Sequence, residues 1–423
     1  MHVEYLVPGI KKIILDNGLR ILLARGPHTK KAFLMVGFKV GSIDETEENF
    51  GIFHFLEHIL FKSTKTRKGR KILEELEEAG TKVNAETNVN CTVLYAKVLP
   101  HLLKKIIGIF FEMIANPSYN SREFQLERKV VLEEFESSRD DPLEYLVDFA
   151  FFPTLFKNTP LAHSVLGAPE NLLRFSKEDL ERIKLEYYVP GNMIIVVMGR
   201  FDEEEVVREI EATFGGLAPA LVKPQKLVVG LDNSQNIKLV PRKTTSSQVY
   251  LCLGYKVPGS LNRDFYRLSL LDGILSEGMS SRLFVALREK RGIGYGLGTV
   301  FGDFNQVGTL FAYLAGFNKK RFNEAVRTIL EEFRQLRDKR VNERELRRAK
   351  NQVISSHDEA MERIEFWAGQ ILRKEFFEVS YDFRRFPKNI ERIKTREILE
   401  TANQYLIDDY ILTALVPEGF SPF

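Results

Sequence analysis

Along the 423-residue chain, the hydrophobic patterns of strands and helices occur twice in a similar order. In the first set, segments with the period of a β-strand are followed by segments with the apolar spacing of a helix. Asp16-Asn17-Gly18 is a hairpin turn signal between two of these strands. Residues 217–226, rich in proline and small residues, are expected to be the linker between two domains, and a second set of strands and helices follows them. The order predicts an α+β protein with two homologous domains, residues 1–216 and 217–423. Each is expected to be a mostly antiparallel sheet with helices packed on one face.

The composition excludes several classes of protein. Hydrophobic residues make up 44% of the chain and charged residues 28%, and the net charge of +3 comes from interspersed acidic and basic residues. A nucleic-acid partner is not expected, because such proteins more often have a segregated basic face. No apolar run is long enough to span a membrane, and residues 1–15 lack the signal-peptide pattern. We therefore expect a cytoplasmic protein without a membrane partner.

A short apolar segment at residues 51–61, GIFHFLEHILF, contains two of the seven histidines. Residues four apart lie on one face of a helix, so His54 and His58 can direct both imidazoles to one point. Glu57 can reach the same point without being a ligand, as a general base for water requires. The alternative is that both histidines line the core. We favour a zinc-binding helix, because burying three titratable groups in an apolar helix is costly without a partner.

The third ligand has to come from elsewhere, because a catalytic zinc takes three protein ligands and keeps a fourth position open. The helix predicted for residues 121–139 offers Glu127, Glu133, Glu134 and Glu136. Glu127 and Glu134 lie two turns apart on one side of it. Periodicity alone does not choose between them, and each could belong to a solvated acidic face.

The H-x-x-E-H order is the inverzincin signature. The chain resembles the pitrilysin family of zinc metallopeptidases, which includes insulysin, and is similar to the bacterial and archaeal members that look like mitochondrial processing peptidase. The family's spacing implies that Glu134 is the third ligand. The segment ERKVVLEEF resembles the family's E-x-x-x-x-x-x-E pattern, which implies that Glu127 orients a ligand histidine.

Three further segments resemble the family. GTKVNAETNVNCTVLY is similar to its G-x-x-x-N-A-x-T strand, which implies that Asn84 and Ala85 bind an extended peptide at a sheet edge. Without the zinc motif, Asn84 would be interpreted as a turn residue. SSRLFVALREKRGIGYGL resembles the arginine–tyrosine motif, which implies that Arg288 and Tyr295 hold the substrate carbonyl oxygen. SVLGAPENL, residues 164–172, also matches, and we interpret the preceding His163 as structural.

The resemblance implies a zinc-dependent endopeptidase with one Zn²⁺ per chain, which cleaves short or unfolded peptides in a dimer chamber. Both motifs occur in this chain, which favours a homodimer. One alternative is a non-catalytic scaffold or core-type subunit that needs a partner. Another is a structural zinc site, which usually has a fourth ligand, often cysteine. The two cysteines, Cys91 and Cys252, lie in strand-like segments instead.

Overall fold

The structure, a computed structural model, describes residues 1–25, 29–222, 229–231, 236–241, 243–244, 246–378 and 383–422. The strands of this part are β1 His2–Val7, β2 Ile10–Ile14, β3 Arg20–Arg25, β4 Ala32–Phe38, β5 Lys82–Thr87, β6 Thr92–Val98, β7 Met193–Gly199, β8 Ile237–Leu239, β9 Lys243–Thr244, β10 Gln248–Pro258, β11 Gly296–Asp303, β12 Val307–Asn318 and β13 Ile411–Pro417.

The α-helices of the described residues lie in groups between these strands. They are α1 Ile52–Leu60, α2 Gly69–Glu78, α3 Leu103–Ala115, α4 Ser121–Asp140, α5 Pro142–Leu146, α6 Phe152–Leu155, α7 Pro169–Arg174, α8 Lys177–Tyr187, α9 Glu203–Thr213, α10 Phe265–Ser276, α11 Phe322–Asp338, α12 Glu343–Met361, α13 Ile364–Phe377, α14 Phe386–Arg392 and α15 Thr395–Tyr405. Among them, none combines the length and the apolar character that a bilayer-spanning helix needs.

The first compact unit consists of Met1–Ser137, His163–Lys226 and Arg363–Glu378. Its seven strands follow the order β1-β2-β3-β7-β4-β6-β5. Only the β3–β7 pair is parallel, and the predicted hairpin joins β2 to β3. The core lies between the sheet and helices α1 and α3 and contains large apolar residues such as Leu34, Val36, Phe53, Phe55, Ile106 and Phe110.

The second compact unit consists of Ser138–Ala162, Leu227–Glu362 and Val379–Phe423. Its sheet has the order β11-β12-β10-β13-β8, with β9 also paired to β13. In both units the last strand lies inside the sheet, parallel to an earlier strand, while most other neighbours are antiparallel. The predicted α+β class, with a mostly antiparallel sheet in each of two units, is confirmed.

The two units do not divide simply at residue 216. Residues 138–162 belong to the second unit, and residues 363–378 belong to the first. Helix α13 packs on β4 and β7 of the first unit, so closely that a Cβ atom at Gly37 would lie 2.6 Å from Leu372. Helix α5 packs on β10 and β13 of the second unit. Both exchanges follow from apolar packing that patterns along the chain do not reveal. Residues 223–226 of the predicted linker lie outside the described residues.

Candidate metal centre

The start of α1 is fixed by a buried carboxylate and a close backbone approach. Glu45 accepts hydrogen bonds from the backbone amides of Gly51 (2.8 Å) and Phe53 (3.2 Å), which satisfies donors at the helix N-terminus. Its Oε2 also lies 3.1 Å from His163 Nε2, which agrees with a structural role for that histidine. Gly51 has a φ of 92°, and a Cβ atom there would lie 2.8 Å from the Gly167 Cα. These contacts set the direction in which α1 leaves its first turn.

Helix α1 directs both predicted histidines to one carboxylate on α4. His58 Nε2 lies 3.4 Å from Glu134 Oε2, and His54 Nε2 lies 3.8 Å from Glu134 Oε1. One ligand atom from each of the three residues lies within 4.8 Å of the others. Tetrahedral ligands about 2 Å from a zinc ion are about 3.3 Å apart. The three side chains therefore fit a zinc ion that takes three protein ligands.

The four acidic candidates on α4 occupy different positions. Glu127 is buried, with 7% exposure, and its Oε1 lies 2.9 Å from His58 Nδ1. The Glu134 side chain is 45% exposed and faces the Nε2 atoms. Glu133 and Glu136 are exposed and lie outside the three-residue cluster of the described residues. The arrangement matches the roles expected for Glu134 as ligand and Glu127 as its supporting carboxylate, and these roles remain proposals.

The hydrogen bond from Nδ1 fixes the tautomer of His58. Because the Glu127 carboxylate can only accept, Nδ1 carries a proton, and Nε2 is the ring atom that faces Glu134. Burial lowers the pKa of His58, but hydrogen bonds to Glu127 and Glu134 outweigh it and raise this pKa to about 9. The second oxygen of Glu127, Oε2, lies 2.6 Å from Lys62 Nζ. His58 thus belongs to a chain of charged groups.

His54 has a different electrostatic environment. Burial, together with the neighbouring His58, lowers the pKa of His54 to about 4, so its imidazole is neutral near pH 7, as a metal ligand must be. Its Nδ1 is buried and has no hydrogen-bond partner among the described residues. The hydrogen bond to His58 lowers the pKa of the Glu134 carboxyl, which keeps it ionised. The cluster therefore presents one neutral imidazole, one carboxylate and one imidazole that gives up a proton.

Glu57 lies between the two histidines on α1, and a residue of strand β5 holds its carboxylate by a hydrogen bond. The Thr87 hydroxyl donates a 2.7 Å hydrogen bond to Glu57 Oε2, which anchors this oxygen of the carboxylate. Burial raises the pKa of Glu57 despite the Thr87 hydrogen bond. A carboxylate whose pKa is shifted toward neutrality is suited to accept and return a proton.

The predicted peptide-binding strand is β5, which ends the sheet order at one edge. Ala85 is buried and Thr87 reaches Glu57, so their face of the strand lies toward α1. Asn84 is exposed on the other face, where its side chain donates to the Tyr95 hydroxyl (3.1 Å). Asn84 could therefore meet a peptide on this edge through its backbone, and its assignment as a binding residue stays a prediction.

Arg288 and Tyr295 lie together in the second unit. Arg288 lies in a π-helical turn, Phe284–Glu289, and its Nη1 donates to the Gly294 carbonyl at 3.0 Å. Its guanidinium stacks over the Tyr295 ring at 4.3 Å, and Tyr295 is 84% exposed. The half-buried Arg288 and the exposed Tyr295 together offer N–H and O–H donors of the kind that can hold a carbonyl oxygen. Their role at a catalytic centre stays a prediction.

Three residues that contact the centre have no role in the sequence-based prediction: Glu45, Lys62 and Thr87. Thr87 is the threonine of the N-A-x-T pattern, so the motif itself was a signal for it. Glu45 and Lys62 act through tertiary contacts at separations that no helix or strand period marks. An acidic residue shortly before a helix is a weak signal for capping, and it could have pointed to Glu45.

Fold and site together define a two-unit α+β protein with a His-x-x-Glu-His helix and a distant glutamate arranged for a metal. Comparison with known sequences agrees: the profile described as "Insulinase (Peptidase family M16)" matches residues 20–169, and that of "Peptidase M16 inactive domain" matches residues 174–353.

Similar proteins extend over nearly the whole chain. An uncharacterized zinc protease of Rickettsia felis is 32% identical, with 95% of this chain and 93% of the relative covered. The uncharacterized zinc protease YmxG of Bacillus subtilis is 28% identical, with 98% and 100% covered. The crystal structure of a protease from Helicobacter pylori has the same fold (TM-score 0.86, 23% identity, 96% and 99% covered). The chain belongs to peptidase family M16, the insulinase or pitrilysin family.

Proposed function

We propose that this protein is a zinc-dependent endopeptidase that cleaves short or unfolded peptides. The observation that carries the proposal is the convergence of His54, His58 and Glu134, with Glu57 beside them on α1. Each chain would hold one Zn²⁺ through these three ligands. When bound, zinc polarises a carbonyl and makes water more acidic.

The residues of the chain then divide the work of peptide hydrolysis. Glu57, held at Oε2 by Thr87, accepts a proton at Oε1 from the water that attacks the scissile carbonyl carbon. The same carboxyl later delivers that proton to the amine as the C–N bond breaks. Glu127 keeps the His58 ring oriented throughout, because it holds the Nδ1 proton.

The substrate would bind as an extended chain along the edge of β5, near Asn84 and Ala85. Main-chain hydrogen bonds to an edge strand favour unfolded segments and make little demand on sequence. Arg288 and Tyr295 would stabilise the carbonyl oxygen as it gains charge. We further propose a cytoplasmic homodimer in which these two residues act on the metal centre of the partner chain inside an enclosed chamber.

The direct test is cleavage of a mixed pool of unfolded peptides, followed by mass spectrometry, with wild type and Glu57→Gln. Wild type should produce internal cleavages, while Glu57→Gln should bind as much zinc and produce none. Glu48→Gln, an exposed charge change near α1, is the matched control and should cleave like wild type. Zinc binding without cleavage by wild type would support the non-catalytic subunit instead.

A complementation experiment tests the dimer proposal separately. Glu57→Gln and Arg288→Ala proteins should each be inactive alone. If Arg288 acts on the partner chain, mixing the two regenerates one intact site per mixed dimer and restores part of the activity. Exchange of subunits is checked with differently tagged chains. Mixed dimers without activity would place Arg288 with the metal centre of its own chain, and an Arg288→Ala protein that is active alone would place Arg288 outside catalysis.

A further inference from the structure

Both oxygens of the buried Glu127 carboxylate have a partner. Oε1 lies 2.9 Å from His58 Nδ1, and Oε2 lies 2.6 Å from Lys62 Nζ. Glu127 comes from α4, whereas His58 lies in the last turn of α1 and Lys62 lies two residues beyond the end of that helix. One carboxylate therefore links a ligand histidine to a cation across two elements.

We propose that Lys62 is a positioning residue of the metal centre that acts through Glu127. A carboxylate held at one oxygen can rotate about its Cγ–Cδ bond, whereas a carboxylate held at both oxygens has a fixed plane. The charge-assisted contact at Oε2 therefore keeps Oε1 aligned with Nδ1, and the His58 ring keeps Nε2 directed at Glu134. The inference rests on the metal site of the proposed function, but it does not depend on peptide cleavage.

The charges around the centre support the same role. Glu57, Glu127 and Glu134 bring three negative charges, of which a divalent ion balances two. Lys62 supplies a further positive charge on the side away from the ligand atoms. Its side chain is 30% exposed, so Lys62 lies at the border of the site and not in the core.

The test measures zinc affinity of the full chain by competition with a chelator at fixed pH. Removing an outer carboxylate typically weakens metal binding 10–100-fold, so Glu127→Gln should fall in roughly that range. Lys62→Met, one step further out, should weaken binding about three- to tenfold. Lys62→Arg should restore affinity to within about twofold, because it keeps a cationic donor. Lys65→Met, an exposed lysine three residues later, is the matched charge control.

Two further readouts separate positioning from general destabilisation. The visible absorption spectrum of the cobalt-loaded protein reports ligand geometry, and it should change in Lys62→Met but not in Lys65→Met. The double variant Lys62→Met/Glu127→Gln should bind zinc no more weakly than Glu127→Gln alone, because Lys62 acts through Glu127. Thermal unfolding of the metal-free proteins identifies a folding defect, and Lys62→Gln then replaces the methionine variant.

Three results would overturn the inference. These are a zinc affinity of Lys62→Met equal to that of Lys65→Met, failure of Lys62→Arg to restore affinity, and fully additive losses in the double variant. None of them depends on turnover. A wild-type protein that binds zinc and cleaves nothing would refute the peptidase proposal while leaving the role of Lys62 to be decided by these affinities.

Discussion

Zinc binding should weaken as the pH falls, with release of one proton from His58 per zinc between pH 6 and 8. In the metal-free protein, the pKa of His58 is raised to about 9, so its imidazole is mostly protonated at pH 7. The pKa of His54 is lowered to about 4, so His54 has no proton to release in this range. A ligand must lose its proton before it binds metal.

The size of the effect follows from these values. Each pH unit below the pKa of His58 leaves tenfold less of the unprotonated form, so the zinc dissociation constant should rise about tenfold from pH 8 to 7 and about a hundredfold from pH 8 to 6. Two unperturbed histidines with pKa values near 6.5 would change affinity less than about twofold between pH 8 and 7. The interval from pH 8 to 7 therefore separates the two cases.

The raised pKa of His58 also affects stability of the metal-free fold. A group whose pKa is raised in the folded state stabilises it fully below the unfolded value, here about 6.5. This contribution is lost as the pH rises through about 9. Unfolding by denaturant at pH 6 and pH 9, without metal, checks this sign.

Calorimetric titration in buffers of different ionisation enthalpy measures the protons released per zinc. Glu127→Gln is the matched variant, since loss of its charge should lower the pKa of His58 and flatten the change between pH 8 and 7. Zinc binding that is independent of pH between 7 and 8, or a proton release that Glu127→Gln leaves unchanged, would refute the electrostatic assignment.

Two further variants test contacts around α1. Thr87→Val removes the hydroxyl that donates to Glu57 and should lower kcat about tenfold while zinc content stays unchanged, and Thr87→Ser should restore the rate. Loss of zinc in Thr87→Val would contradict this role. Gly51→Ala adds a Cβ atom 2.8 Å from Gly167 at a φ of 92° and should cost roughly 2–3 kcal/mol of stability in denaturant unfolding. Gly80→Ala, also at positive φ but in open space, should cost about 1 kcal/mol, and equal costs would contradict the packing argument.

The helix that carries His54, Glu57 and His58 could be predicted because these three residues are spaced so that they lie on one face of a helix. The structure places it at Ile52–Leu60, within the segment expected. The choice between Glu127 and Glu134 could not be made from periodicity, since both lie on one side of α4. The tertiary packing of α4 beside α1 distinguishes them: Glu127 contacts His58 Nδ1, whereas Glu134 lies near His58 Nε2.

Long-range contacts limit prediction of both fold and site. The packing of α13 on β4 and β7 brings together residues more than 150 positions apart in the chain. The apolar pattern of a helix predicts that one face is buried, but it does not identify the sheet against which that face packs. Glu45 and Lys62 depend on partners 6 to 118 residues away along the chain, a separation that no local pattern marks. The strand and helix order, by contrast, depends on local periodicity and was predicted well.

The central claim is tested most directly by titrating the metal-free protein with zinc while following cleavage of an unfolded peptide. The account predicts that activity rises linearly and reaches its plateau at one zinc per chain. It also predicts that Glu57→Gln binds the same one zinc and stays inactive. Full activity without added zinc and in the presence of a chelator, or turnover by Glu57→Gln at the wild-type rate, would contradict the account.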